Sequence, residues 1–177
     1  MGGPSLIGSL GDAAPLIHPR AWIAPSAVVV GSVSIGRASS VWYGSVLRAD
    51  DAEIAVAEEC NIQDLCCIHV DAGQPAVLEA RVTVGHHATV HGARLEAGSL
   101  VGMGAIVLGG ARVGAASIVA AGTVVLGGVS VPAGVLYGGV PGRVIRALTD
   151  ADLERFAPVA GRYVARADRH RSVIWQE

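Results

Sequence analysis

The feature that most constrains this chain is a period of six. Aliphatic residues recur at Ile17, Ile23, Val29, Ile35, Val41 and Leu47, and after a slip of three they resume at Val56, Ile62 and Ile68. An interruption around Asp71–Pro75 precedes Val84 and Val90. A slip of one leads to Leu95, and the count then runs through Val101, Val107, Val113, Val119, Val125 and Val131 to Tyr137. Position two of each unit is often Gly or Ala, and position five is often small, as at Ala27, Ser39, Ser45, Ala105, Ala111, Ser117 and Thr123. Helical stripes recur at three and four residues, so six suits a helix poorly. A strand alternates by two, and one short strand plus a tight corner accounts for every slot. Three such units, about 18 residues, close a triangular coil, and stacked coils form a parallel β-helix. A sandwich would instead need turn signals every 8–12 residues.

The pattern resembles the hexapeptide-repeat family over roughly residues 15–142. That resemblance implies the left hand, since crossovers between parallel strands are otherwise right-handed. The expected fold is an all-β solenoid: a left-handed parallel β-helix over 1–142, with a C-terminal α-helical segment over 143–177 packing on it. A narrow prism suits a chain that is 51% hydrophobic but only 4% aromatic. Mean hydropathy is +0.50, and Val113–Gly142 carries no charge. The glycines breaking that stretch and its unbroken rhythm argue against a membrane span. Beyond Val140-Pro141-Gly142 the pattern stops. Thr149 reads as a helix cap with Asp150 and Asp152 in the first turn. Leu153, Phe156, Ala160, Tyr163 and Val164 form an apolar stripe that Pro158 should kink or divide.

Charge excludes several partner classes. With 15 acidic and 13 basic residues the net charge is −2, which favours neither nucleic acid nor an anionic membrane. All basic residues are arginines, so lysine Schiff bases and the phosphate lysine of P-loops are excluded. The N-terminus lacks a basic region followed by an apolar core, and three cysteines, two of them adjacent, make no disulfide framework. A cytoplasmic location is expected.

Register separates the six histidines. His69 follows inward Ile68 and His91 follows inward Val90, so both point outward. They are one coil plus a four-residue insertion apart, which stacks them about 4.8 Å from each other on one face. Arg48, after inward Leu47, belongs to the same ladder. His86 sits on the preceding face, next to the position of Asp64 one coil earlier, with Gln63 beside it. If His69, His86 and His91 serve one metal ion, His86 comes from a neighbouring copy, and three prisms side by side make a homotrimer. His87, one residue out of phase, is the alternative to His86. Cys67 could share the face of His69 as a thiolate ligand, or fill a subunit contact. His18 and His170 fall outside the register and read as surface residues.

At these positions the chain resembles the γ-class carbonic anhydrases. The matching stretches are Val46-Leu47-Arg48-Ala49-Asp50, Asn61-Ile62-Gln63-Asp64, Ile68-His69, Val84-Gly85-His86, Val90-His91-Gly92 and Gly102-Met103-Gly104-Ala105. The resemblance implies a homotrimer with a metal, zinc or else iron or cobalt, held by His69 and His91 of one copy and His86 of the next. It implies that Gln63, with Asn61 nearby, holds metal-bound water or hydroxide, and that Tyr137 lies near the pocket. Arg48 is expected in an interface salt bridge with Asp64 or Asp50. Hydroxide attacks carbon dioxide to give bicarbonate, because three neutral imidazoles leave one coordination position for water. Asp51 occupies the place of one proton-transfer acid. The loop Val70-Asp71-Ala72-Gly73-Gln74 offers only Asp71 for the other, which implies slow proton export. The same scaffold also serves acyltransferases, so an acyl-CoA thioesterase or acyltransferase, and a metal-binding accessory trimer, are the alternatives.

Overall fold

The computed structural model describes residues 6–174. Strands of mostly two or three residues alternate with tight corners; those of the inner coils pair in parallel with the strands one coil earlier and later, and those at the ends of the stack on one side only. The registers Arg94↔Arg112, Leu100↔Ile118 and Ile106↔Val124 each step eighteen residues. About seven turns stack into a left-handed parallel β-helix. The inward aliphatics foreseen from the period lie in its core: Val29, Val41, Leu47, Ile62, Ile68, Val84, Val90 and Leu95 are fully buried. Ile17 and Ile23 are only partly buried, near the open N-terminal end of the prism.

The small residues at position five are also buried, and two of them, Ser39 and Ser45, tie corners of successive coils together. Ser39 Oγ donates to the Ala57 carbonyl and Ser45 Oγ to the Gln63 carbonyl, both at 2.6 Å. The same oxygens accept from the Cys60 and Cys66 backbone N–H groups at 3.0 and 3.1 Å. These links fall where the coil is lengthened, so a side chain replaces the backbone pairing that a regular step would give. The third corner residue needs a positive φ: Gly104 adopts +66° without strain, whereas Leu65 and His87 accept +60° in the same column.

The slip of three and the interruption at Asp71–Pro75 are insertions that leave the ladder intact. The slip of one instead shortens a coil to seventeen residues, as between Val84 and Val101. Gly31 pairs with Ala49 but Val33 pairs with Ile54, so Asp50–Asp51–Ala52 bulge out of one long strand, Val46–Val56. Asp71 and Gln74 form a small antiparallel bridge that carries the second insertion. Leu78, which the period count skips, resumes the inward series opposite Leu95.

Past the last coil the chain does not go straight into a helix. Gly142–Ala147 forms an antiparallel strand against Val135–Gly139, covering the sheet edge that the final coil would expose. The Tyr137 hydroxyl, itself buried, donates to the Gly142 carbonyl at 2.7 Å across this hairpin. Pro158 then divides the helical stripe into α1 (Asp150–Phe156) and α2 (Val159–His170). Thr149 caps α1 in a reciprocal box with Asp152, which also pairs with Arg146. These partners hold the Asp152 carboxyl far below its usual range, the Arg146 hydrogen bond foremost. Neither helix is long and apolar enough to cross a membrane.

The surface reading of His170 is corrected. At the end of α2, half-buried His170 packs on Trp22, Trp42 and Tyr43 with ring centroids 4.8–5.7 Å away. The Tyr43 hydroxyl lies 2.8 Å from His170 Nδ1. With Tyr163 edge-on to Trp42 at 5.2 Å, most of the chain's few aromatic rings gather where the helix docks on the early coils. They are too wide for the prism interior and bury their faces outside it. His18 accepts from the Arg20 backbone in a turn.

Two consequences are measurable. Leu95→Ala should lower the unfolding free energy by about 2–5 kcal/mol, the cost of a fully buried leucine. Leu16→Ala, at a side chain 74% exposed, should change it by less than about 0.5 kcal/mol. Chemical denaturation of both variants checks the contrast. Burial pushes the Cys60 and Cys66 thiols up to about 12. At pH 8 both should resist a disulfide reagent in the folded protein and react once it is unfolded, as a thiol titration would read.

Candidate metal centre

The ladder places the histidines as their register requires. In one sheet Arg48 pairs with His69 and His69 with His91, so three outward side chains rise in a column from consecutive coils. The imidazoles lie 5.0 Å apart at their centroids, and His69 Nδ1 is 3.0 Å from His91 Nε2. Asp71, at the start of the inserted bridge, completes a group whose ligand atoms all lie within 4.8 Å of one another.

The opposite ring nitrogens face carboxylates. Asp50 Oδ1 is 2.8 Å from His69 Nε2, and Asp71 Oδ2 is 3.6 Å from His91 Nδ1. Asp50 is itself held by Arg48 of the same chain. The Asp50 carboxylate draws a proton to His69 Nε2 and so leaves His69 Nδ1 to face His91 Nε2, while Asp71 stands beside the His91 ring beyond hydrogen-bond distance. At 3.0 Å the two nitrogens share a hydrogen-bonding proton, which a cation taking both as ligands would displace. Two imidazole nitrogens and an adjacent carboxylate are a donor set suited to zinc and its neighbours, so these residues fit a divalent transition metal.

His86 stands elsewhere. It occupies the corner between this face and the next, and its Nδ1 lies 2.9 Å from Asp64 Oδ2. Among the described residues it is not part of the His69–Asp71–His91 group. His87, the alternative, is exposed at the positive-φ corner position. Gln63 is buried, and its Nε2 donates to Asn61 Oδ1 at 3.0 Å, while Asn61 Nδ2 donates to Thr83 Oγ1 at 2.8 Å. That relay turns the Gln63 carbonyl away from Asn61. Gln63 and His86 together line one end of an apolar groove of about 530 Å³, which runs past Met103 and Leu136 to Phe156 and Val159.

The remaining candidates disperse. Asp51 is exposed in the bulge, one residue beyond Asp50. Cys67 is exposed on the strand of His69 but outside the metal group. Tyr137 points into the core three strands along its sheet from the strand preceding His86. Within this chain, then, His69 and His91 come together, Asp64 joins His86, and Tyr137 stands apart. Asp71 was read only as a proton carrier, and Asp50 only as an arginine partner. Their nearness to the imidazoles follows from insertions whose folding the period cannot give.

No protein-family model matches the chain. Among curated relatives, a probable carbonic anhydrase of Methanocaldococcus jannaschii is 50% identical over 149 residues, covering 84% of this chain and 94% of the relative. The carbonic anhydrase of Geobacillus kaustophilus is 37% identical and covers 92% and 89%. Gamma carbonic anhydrase 1 of Arabidopsis thaliana is 39% identical over 90% of this chain. The chain spans only 60% of the length of that relative, whose mitochondrial location does not fit the cytoplasmic expectation. A crystal structure of a Bacillus cereus protein, provisionally described as an acetyltransferase, superposes with a TM-score of 0.94 at 32% identity over 96% of this chain and 99% of the other. A hexapeptide transferase family protein of Anaplasma phagocytophilum gives 0.90 at the same identity, over 94% and 98%. By these relatives and by its repeat, the chain belongs to the γ carbonic anhydrase family.

Proposed function

We propose that this chain is a metal-dependent carbonic anhydrase that interconverts carbon dioxide and bicarbonate in a homotrimer. His69 and His91 of one copy and His86 of the next hold the cation, zinc or else iron or cobalt. The observation that carries this reading is the convergence of His69 Nδ1 and His91 Nε2 to 3.0 Å, each ring backed by a carboxylate. A cation bound there lowers the pKa of water toward about 7, which makes a nucleophile available at neutral pH.

The chain's own groups supply the rest. Gln63, fixed through Asn61, presents a carbonyl able to accept a hydrogen bond from water and so orient it. Its buried position keeps bulk water from competing for that contact. Arg48 holds Asp50, which steadies His69; half-exposed, it can also meet a carboxylate of a neighbouring copy. Asp51, exposed beside Asp50, can pass protons to solvent. Tyr137 receives no catalytic part, because its hydroxyl serves the hairpin.

The apolar groove and the likeness to the Bacillus cereus protein favour a second reading, an acyl-CoA thioesterase or acyltransferase. Turnover across a panel of acyl-CoA thioesters, with chelated protein as active as metallated protein, would support it.

Metal analysis and stopped-flow hydration test the first reading. Purified protein should carry about one metal per chain, lose hydration with a chelator and regain it on remetallation. Hydration at the buffer rate in fully metallated protein would overturn the proposal. The shared site has its own test: His69→Ala and His86→Ala should each abolish metal binding. Trimers mixed from the two variants should regain about one site in three, because one junction per ring then has every imidazole. Mixed trimers that bind no metal would rule out a site shared between copies.

A further inference from the structure

His86 differs from its two partners in standing at a corner, where a side chain has fewer neighbours to fix its direction. A neutral imidazole carries its proton on either nitrogen, and only the bare one can donate to a cation. Something must therefore select the tautomer. The group within reach is Asp64, directly one coil earlier in the corner column, with its Oδ2 2.9 Å from His86 Nδ1.

The backbone fixes this pair. The His87 N–H donates to the Asp64 carbonyl at 3.0 Å, and the Gly104 N–H to the His86 carbonyl at 2.9 Å. Corner 63–66 is thus stapled to corner 85–88, and that one to corner 102–105. Tyr43 precedes Asp64 in the same column and carries the contact to His170 of α2. The negative charge of Asp64 adds to desolvation in raising the pKa of both Tyr43 and Tyr163. Asp64 accordingly sits between the aromatic patch that anchors α2 and the imidazole of His86.

We infer that Asp64 is a positioning residue: its carboxylate, 2.9 Å from His86 Nδ1, holds the ring proton on that nitrogen by its negative charge and so leaves Nε2 bare. The nearness of Asp64 to His86 Nδ1 stands on the structure alone, while its consequence for a cation rests on the proposed function. Within this chain the Arg48 guanidinium pairs with Asp50, and Asp64 faces His86. Nothing else among the described residues pairs with the His86 ring.

The test uses the full chain, metal-free and labelled with nitrogen-15 histidine, with the His86 signals assigned by their loss in His86→Ala. Wild-type protein should show the Nδ1–H tautomer at His86. Asp64→Ala should move it toward the Nε2–H form and weaken zinc binding about 10–100-fold in a chelator competition, at unchanged assembly mass. Asp64→Glu should recover part of both. If Asp64→Ala does not assemble, Asp64→Asn, of nearly the same shape, carries the same readouts. An unchanged His86 tautomer, or unchanged zinc affinity in a normally assembled variant, would overturn the inference. Should wild-type protein bind no zinc at all, the proposed function falls, while the tautomer still decides the role of Asp64.

Discussion

Everything in this molecule depends on the stacking of one coil upon the next through parallel backbone hydrogen bonds. A two-residue strand has almost no stability alone, but those of the inner coils are paired above and below, and the inward aliphatic of each rests on that of the neighbouring coil. The spacing between strands, about 4.8 Å, is thereby imposed on every column of side chains. Residues a coil apart in sequence become contact neighbours whether or not they pack well together. For the inward slots this yields a column of Val, Ile and Leu. For the outward slots it means that any two polar residues in register must face each other.

The candidate site exploits that second consequence. Two imidazoles forced into one column meet through facing ring nitrogens 3.0 Å apart, a place for one shared proton or one cation. The chain surrounds them with carboxylates, and these come from the two places where the repeat is broken. Asp50 lies in the three-residue bulge, and Asp71 opens the small bridge. The regular coils therefore set the spacing of the ligands, and the irregular ones supply the groups that choose which nitrogens are bare.

Much of this was legible in advance. The period named the inward residues from Val29 onward, and the counts between Arg48, His69 and His91 named the ladder, because an eighteen-residue step converts sequence distance directly into stacking. Asp64 beside His86 followed from the same arithmetic. The period failed where no repeat applies. Leu78 was passed over because the insertion before it hides the phase. The strand Gly142–Ala147 was unforeseen because its exposed Val144 and Ile145 give no buried face to read. His170 looked like a surface residue because nothing in a helical stripe shows which rings of a distant coil will receive it.

The sequence by itself determined the coil, its inward column and the stacking of two histidines, for these are consequences of a fixed period acting through fixed strand geometry. Only the tertiary structure decided which ring nitrogens face carboxylates, where the helix docks, and that Tyr137 serves a hairpin. Those features depend on how loops of irregular length fold back and on how side chains turn about their own bonds. A periodic pattern carries no information about either.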